Sequence, residues 1–119
     1  MFNRLEIDIF EWFKEKQPQS TLANQLATAK FISRRWTRVG FYLYFVVDKN
    51  LSKLDMNEYG GKFPISGPGI KSDDVHDNGG CLLWGKDGYV DCLEMYAFGD
   101  YFKEEVKKYT LVGFDHKAS

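Results

Sequence analysis

The hydrophobic period of this chain changes once, near residue 30, and that change decides which folds are open to it. Over residues 2–16 the apolar positions Phe2, Leu5, Ile9, Trp12 and Phe13 recur at spacings of three and four, with Glu6, Asp8, Glu11, Lys14 and Glu15 between them. This is the pattern of a helix with one apolar face. Gln17-Pro18-Gln19 stops it, because proline cannot continue a helix, and Ser20 or Thr21 caps a shorter second helix carrying Leu22, Leu26 and Ala29 on one side. After Lys30 the period falls to two. Residues 31–38 mix aromatic and basic side chains, and a strand follows over residues 39–47, where Phe41, Leu43, Phe45 and Val47 point one way and Tyr42, Tyr44 and Val46 the other.

Residues 48–69 contain Gly60-Gly61, Pro64 and Gly67-Pro68-Gly69 and read as a long connection, the kind of loop that carries function or moves. Residues 81–96 read as a hairpin centred on Asp87-Gly88, since a type I′ turn needs positive φ at both central positions and this pair tolerates it. A helical turn over residues 101–108 and a last strand over residues 109–114 complete the pattern. Helices first and strands afterwards predict the α+β class, with two N-terminal helices packed on a mostly antiparallel sheet of four to five strands. At 119 residues, the chain is read as a single domain.

Ten Phe, seven Tyr and three Trp exceed what a core of this size requires, so part of the aromatic surface is expected to lie exposed as a contact face. The net charge of −1 removes the broad positive field that non-specific nucleic-acid binding relies on. That average hides a gradient, because residues 1–50 hold eight Lys/Arg against five Asp/Glu and residues 51–119 hold eight against twelve. Residues 73–105 are steepest, with nine acids (Asp73, Asp74, Asp77, Asp87, Asp91, Glu94, Asp100, Glu104 and Glu105) against Lys86 and Lys103. If those acids share a face, it attracts a basic partner.

Cys81 and Cys92 are the only cysteines, and no charged n-region with an apolar core and cleavage site opens the chain, so a cytoplasmic protein with reduced thiols is expected. A disulfide between them would need the two residues directly opposite across a four-residue hairpin loop. The longest apolar run, residues 41–47, is too short to cross a bilayer.

Asp73-Asp74-Val75-His76-Asp77 is the nearest approach to a metal-ligand cluster, but it has neither the helical spacing of a zinc motif nor the closing Glu of a calcium loop. It reads as a solvated loop, and no metal or cofactor is expected. His116 reads as a tail residue rather than a catalyst. Glu94 interrupts an apolar strand between Leu93 and Met95. It either faces water by the period of two, pairs with an arginine, or acts as an acid or base in a pocket with Arg34 or Arg35. No nucleophile–base spacing, zinc-protease motif or phosphate loop occurs, so no catalytic residue is assigned. Arg34-Arg35-Trp36-Thr37-Arg38 joins three guanidinium groups to a tryptophan, and suits an internal acid, a protein partner or, less well in so acidic a chain, a nucleic acid.

Three segments together resemble a group of small bacterial proteins of about this length. Arg34, Thr37, Gly40 and Phe41 follow an Arg-x-x-Thr-x-x-Gly-Phe pattern. Gly80, Leu83 and Gly88 follow Gly-x-x-Leu-x-x-x-x-Gly, and Leu93, Glu94, Tyr96 and Gly99 follow Leu-Glu-x-Tyr-x-x-Gly. Arg38 stands where that group favours glycine and Arg35 where an acid is common. In character the group is similar to immunity proteins of contact-dependent and polymorphic toxin systems. The resemblance implies a non-catalytic protein that neutralises a basic toxin domain by occluding it. Trp84, Tyr89, Asp91, Tyr96, Asp100 and Tyr101, on or beside the acidic hairpin, form the expected partner-binding set. Two other readings stand beside it: a small enzyme or ligand binder using Glu94 with Arg34 or Arg35, and a structural subunit that dimerises weakly by pairing the strand at residues 109–114.

Overall fold

The computed structural model describes residues 1–113; Phe114 and His116 lie outside the described residues. Asn3 opens the first helix, α1 (Arg4–Lys16), by a reciprocal cap: the Glu6 amide donates to Asn3 Oδ1 at 2.9 Å and the Asn3 amide donates to Glu6 Oε1 at 2.7 Å. Ser20 caps α2 (Thr21–Ala27) through its hydroxyl, which accepts from the Ala23 amide at 3.0 Å. The buried stripe of α1 is Leu5, Ile9, Phe10 and Phe13, and that of α2 is Leu22 and Leu26. Neither helix is long and apolar enough to cross a membrane.

Among the described residues seven strands follow: β1 (Lys30–Trp36), β2 (Gly40–Val46), β3 (Ile65–Ser66), β4 (Gly69–Lys71), β5 (Gly79–Lys86), β6 (Tyr89–Ala97) and β7 (Thr110–Val112). All pairings are antiparallel, in the order β1-β2-β6-β5-β4-β7 with β3 also on β5. The architecture is the expected α+β arrangement, helices first, with more strands than the four to five predicted.

The extra strands come from three places. Residues 30–36 form β1 rather than a lead-in to the strand at residue 39. The long connection over residues 48–69 holds a 3-10 turn (Met56–Tyr59) and the short β3. Gly69 begins β4. Residues 101–108 form no helix. Their backbone is used elsewhere, with His76 N–H donating to the Tyr101 carbonyl, Lys103 N–H donating to the Asp74 carbonyl, and Phe102 bridging Val75. The hairpin turn is as predicted, with φ of 56° at Asp87 and 85° at Gly88. It has two residues rather than four, and Cys81 lies opposite Met95 while Cys92 lies opposite Trp84, so both cysteines are free.

Helices and sheet meet through Phe10 on Phe45, with ring centroids 5.1 Å apart, and through Phe41, Leu43, Phe45, Leu83, Leu93 and Met95, which form the buried face of the sheet. Two polar side chains are sealed into this layer with them. Gln25 donates through Nε2 to the carbonyls of Ser52 and Gly88, each at 3.0 Å, and accepts from Val90 N–H at 3.1 Å, tying α2 to the hairpin turn. Glu6 is fully buried and accepts from Arg34 Nε and Nη2, both at 2.6 Å, tying α1 to β1.

Removing the cation from that pair strands a buried carboxylate, so Arg34→Ala is expected to cost about 3–5 kcal/mol in urea unfolding. Glu6→Gln should cost less, because Arg34 keeps part of its contact with solvent. Equal losses in the two variants would contradict this assignment.

Candidate protein-binding face

The register that buries Phe41, Leu43, Leu83, Leu93 and Met95 sends the alternate residues of β2, β5 and β6 to the side of the sheet away from the helices. Three cross-strand rows result. Arg35, Tyr42, Glu94, Leu82 and Ser66 form one; Ser33, Tyr44, Cys92 and Trp84 form the next; Gly40, Tyr96 and Gly80 form a third. Phe98 continues the β6 alternation and is 63% exposed, and Trp84 is 37% exposed.

Glu94 is the carboxylate among these rows. Trp84 Nε1 donates to Glu94 Oε1 at 2.9 Å. The Glu94 charge, followed by burial and by Tyr44, pushes the Tyr42 phenol above its ordinary range. Tyr42 and Tyr44 stack at 6.4 Å between ring centroids, and Tyr96 meets Phe98 edge to face at 5.7 Å. Tyr96 also lies across Gly80, where a Cβ would come within 2.8 Å of its hydroxyl, so the glycine makes room for the ring. Cys92 sits beneath this surface. Burial, with the charges of Asp91 and Glu94, pushes its thiol up to about 12, and burial pushes the Cys81 thiol up as well.

The residues expected to bind a partner divide into three groups. Trp84 and Tyr96 stand on the open face. Tyr89 belongs to the hairpin end, where its hydroxyl bonds the carbonyls of Lys49 and Leu51, each at 2.9 Å, and Lys49 lies over its ring. Asp91 is beside it, its carboxyl pushed up by burial while Lys49 and Lys86 pull the other way. Asp100 and Tyr101 lie past the opposite end of β6. There Asp100 N–H donates to His76 Nδ1 at 2.7 Å, and Tyr101 stacks on the His76 ring at 4.8 Å.

The acids of residues 73–105 therefore do not form one continuous patch. Asp74 is turned to the Lys107 amide at 2.9 Å and to Lys103 at 3.3 Å, and these contacts, the amide foremost, hold its carboxyl below the usual range. Within the Asp73 to Asp77 loop, His76 is engaged by Asp100 and Tyr101. Among the described residues no group of three or more His, Cys, Asp or Glu converges as metal ligands do.

The expected pocket of Glu94 with Arg34 is corrected by the structure. Arg34 lies opposite Leu43 on the helix side, bound to Glu6, whereas Glu94 faces the other way. Arg35 does share the Glu94 row, but Tyr42 stands between them, so their strands are about 10 Å apart. A cavity of about 430 Å³ lies on the helix side, between the start of α1 and residues 104–109. Tyr42 and Tyr44 were legible as an outward hydroxyl-tipped pair. Phe98 was not assigned, although it continues the period of Glu94 and Tyr96.

Compared with protein-family models, with curated proteins and with solved structures, the chain matches none.

Two outcomes test this geometry. In ¹³Cζ-detected NMR titration Tyr42 should ionise above a free tyrosine, and Glu94→Gln should bring it back toward about 10; an unchanged Tyr42 would remove Glu94 from its surroundings. Both thiols should resist alkylation at pH 8 in the folded chain and react on unfolding, because the thiolate is the reactive form.

Proposed function

We propose that this chain is a non-catalytic, cytoplasmic protein-binding domain of the immunity kind, which neutralises a basic toxin domain by covering its working surface. The observation that carries this reading is the helix-free face of the sheet, where Trp84, Tyr42, Tyr44 and Tyr96 surround the carboxylate of Glu94. Rigid aromatic rings supply contact area at low entropic cost, and tryptophan and tyrosine dominate the residues on which protein interfaces depend. An arginine or lysine of the partner finds an opposite charge at Glu94 and aromatic faces around it.

The expected partner set then takes a radial order. Trp84 and Tyr96 form the buried centre. Asp91 at one end of β6, and Asp100 with Tyr101 beyond the other, form the charged rim that steers a basic partner. Such a protein needs no reaction, cofactor or metal, and its affinity is set by how slowly the covered face reopens. The ligand or enzyme reading loses Arg34, which Glu6 holds on the opposite side, and keeps Arg35 only across Tyr42 from Glu94. Among the described residues, the strand-pairing reading at residues 109–114 has only the three-residue β7 to work with.

The test uses the intact chain as bait, with Trp84→Ala, Glu94→Gln and the double reversal Asp91→Lys/Asp100→Lys as parallel baits, each first checked for unchanged unfolding. A basic partner at one-to-one stoichiometry should be held by the wild-type chain. Trp84→Ala should weaken it by about thirtyfold, mostly through faster dissociation. The rim reversal should slow association and flatten its dependence on salt. A partner held equally by wild type and Trp84→Ala overturns the reading, as does the absence of any captured protein.

A further inference from the structure

The strand β1 ends the sheet, and among the described residues its outer backbone is unpaired. It pairs with β2 on one side, and among the described residues no other backbone group hydrogen-bonds to the backbone of residues 30–36, the Met1 carbonyl being held by the Arg34 side chain. The opposite edge, β7, has three residues, whereas β1 has seven, with regular pairing from Ser33 to Trp36. An edge of this kind presents a ladder of free N–H and C=O groups that another strand can complete.

The charge along this edge has one sign. Lys30, Arg35 and Arg38 are exposed, and among the described residues none of them has a salt-bridge partner. From residue 16 to residue 47 the chain contains no Asp or Glu at all. Arg34 is neutralised by Glu6 on the helix side, and Glu104 borders the groove beside Arg34 and Trp36 there. The unmatched positive charge therefore lies on the outer side of β1, at Arg35, and at its two ends.

These features select one occupant. A second copy of this chain would bring Lys30, Arg35 and Arg38 against their own kind, and the irregularity between Phe31 and Ser33 interrupts a self-matching ladder. A nucleic acid would meet the cations, but Trp36, though partly exposed, is packed on Phe41 at 4.6 Å, and the Glu94 carboxylate, which repels phosphate, stands in the same row as Arg35 and Tyr42. An extended acidic polypeptide satisfies both the open ladder and the charge.

We propose that the β1 edge receives an extended acidic segment of a partner protein as an added strand. Main-chain hydrogen bonds along Ser33 to Trp36 supply affinity, and alternate Asp or Glu side chains meet Arg35, with Lys30 and Arg38 at the ends. The same charges that discourage self-pairing thereby choose the partner. This goes beyond the open-face reading and does not depend on it.

The test titrates the intact, ¹⁵N-labelled chain with a synthetic peptide of about eight residues alternating Glu with Val or Thr, a typical strand length. Its Lys-for-Glu counterpart, a version N-methylated at alternate amides, and a single-stranded oligonucleotide are the parallel probes. The acidic peptide should shift the amides of residues 30–36 and protect from exchange those that face solvent in the free chain. The lysine and N-methylated peptides, and the acidic peptide on Arg35→Glu/Arg38→Glu, should bind at least about tenfold more weakly. Equal binding of the N-methylated peptide would leave charge attraction without strand addition and overturn the proposal. Tighter binding of the oligonucleotide, or no binding of the acidic peptide at millimolar concentration, would overturn it equally.

Discussion

The Glu6 carboxylate is the point at which the two layers of this protein are held in register. One oxygen closes the cap on the first turn of α1, and the pair together grip the Arg34 guanidinium from β1, so one buried side chain fixes both the start of the helix and the strand it lies over. A charge sealed away from water is tolerated only when its partners are all in place. Any sliding of α1 along the sheet would break those bonds together. Gln25 does the same for α2, using its oxygen and its amide nitrogen on the hairpin turn and the loop before it. Among the described residues no buried side-chain polar atom lacks a partner. Apolar packing of Phe10 on Phe45 supplies the attraction between the layers, and the two polar residues make it specific.

Fixing the helices to one side leaves the other side of the sheet to find its own chemistry. Tyrosine and tryptophan suit such a surface because their rings pack on neighbours across the strands while their polar ends stay wet. This is where part of the aromatic surplus goes. The positive edge and the carboxylate-centred face are joined by a single row, Arg35 to Tyr42 to Glu94, so a partner lying on the face approaches the edge as well. Surfaces of opposite sign this close together discriminate by orientation, since a partner turned around meets like charge at both.

Much of the fold was legible because its strongest signals are local. The three-and-four spacing of α1, the Ser20 cap and the Asp87-Gly88 turn each depend on residues within a few positions of one another. β1 was hidden for the opposite reason: an edge strand with one exposed side and four Lys/Arg residues within or just beyond it carries no apolar alternation. Residues 101–108 have helix-forming Lys and Glu, and Phe102 and Val106 do pack on the core, but long-range pairing with residues 74–76 takes their backbone instead. The destination of Arg34 was equally out of reach. Phe31 faces the helices, and the extra residue before Ser33 reverses the parity, so that Arg34 and Trp36 turn inward and Arg35 outward. The open face was half visible: Tyr42 and Tyr44 followed from alternation, whereas joining them to Trp84 required the register of three strands.

The second irregularity of the sheet shows how strongly that register governs the face. Lys86 lies opposite Tyr89 and Gly85 opposite Val90, but Trp84 then lies opposite Cys92, which leaves Asp91 as an extra residue in β6. Were the ladder continuous from the turn, Trp84 would oppose Asp91, Leu82 would oppose Leu93, and Glu94 would oppose Cys81 in the core. A carboxylate there would have no cation to meet it, and Leu93 would be turned out to water. The bulge prevents this by shifting every later residue of β6 by one position. Val90 and Leu93 both face the core, and Glu94 stands on the surface within reach of Trp84. The chemistry of the face thus depends on one unpaired residue, Asp91, near a two-residue turn.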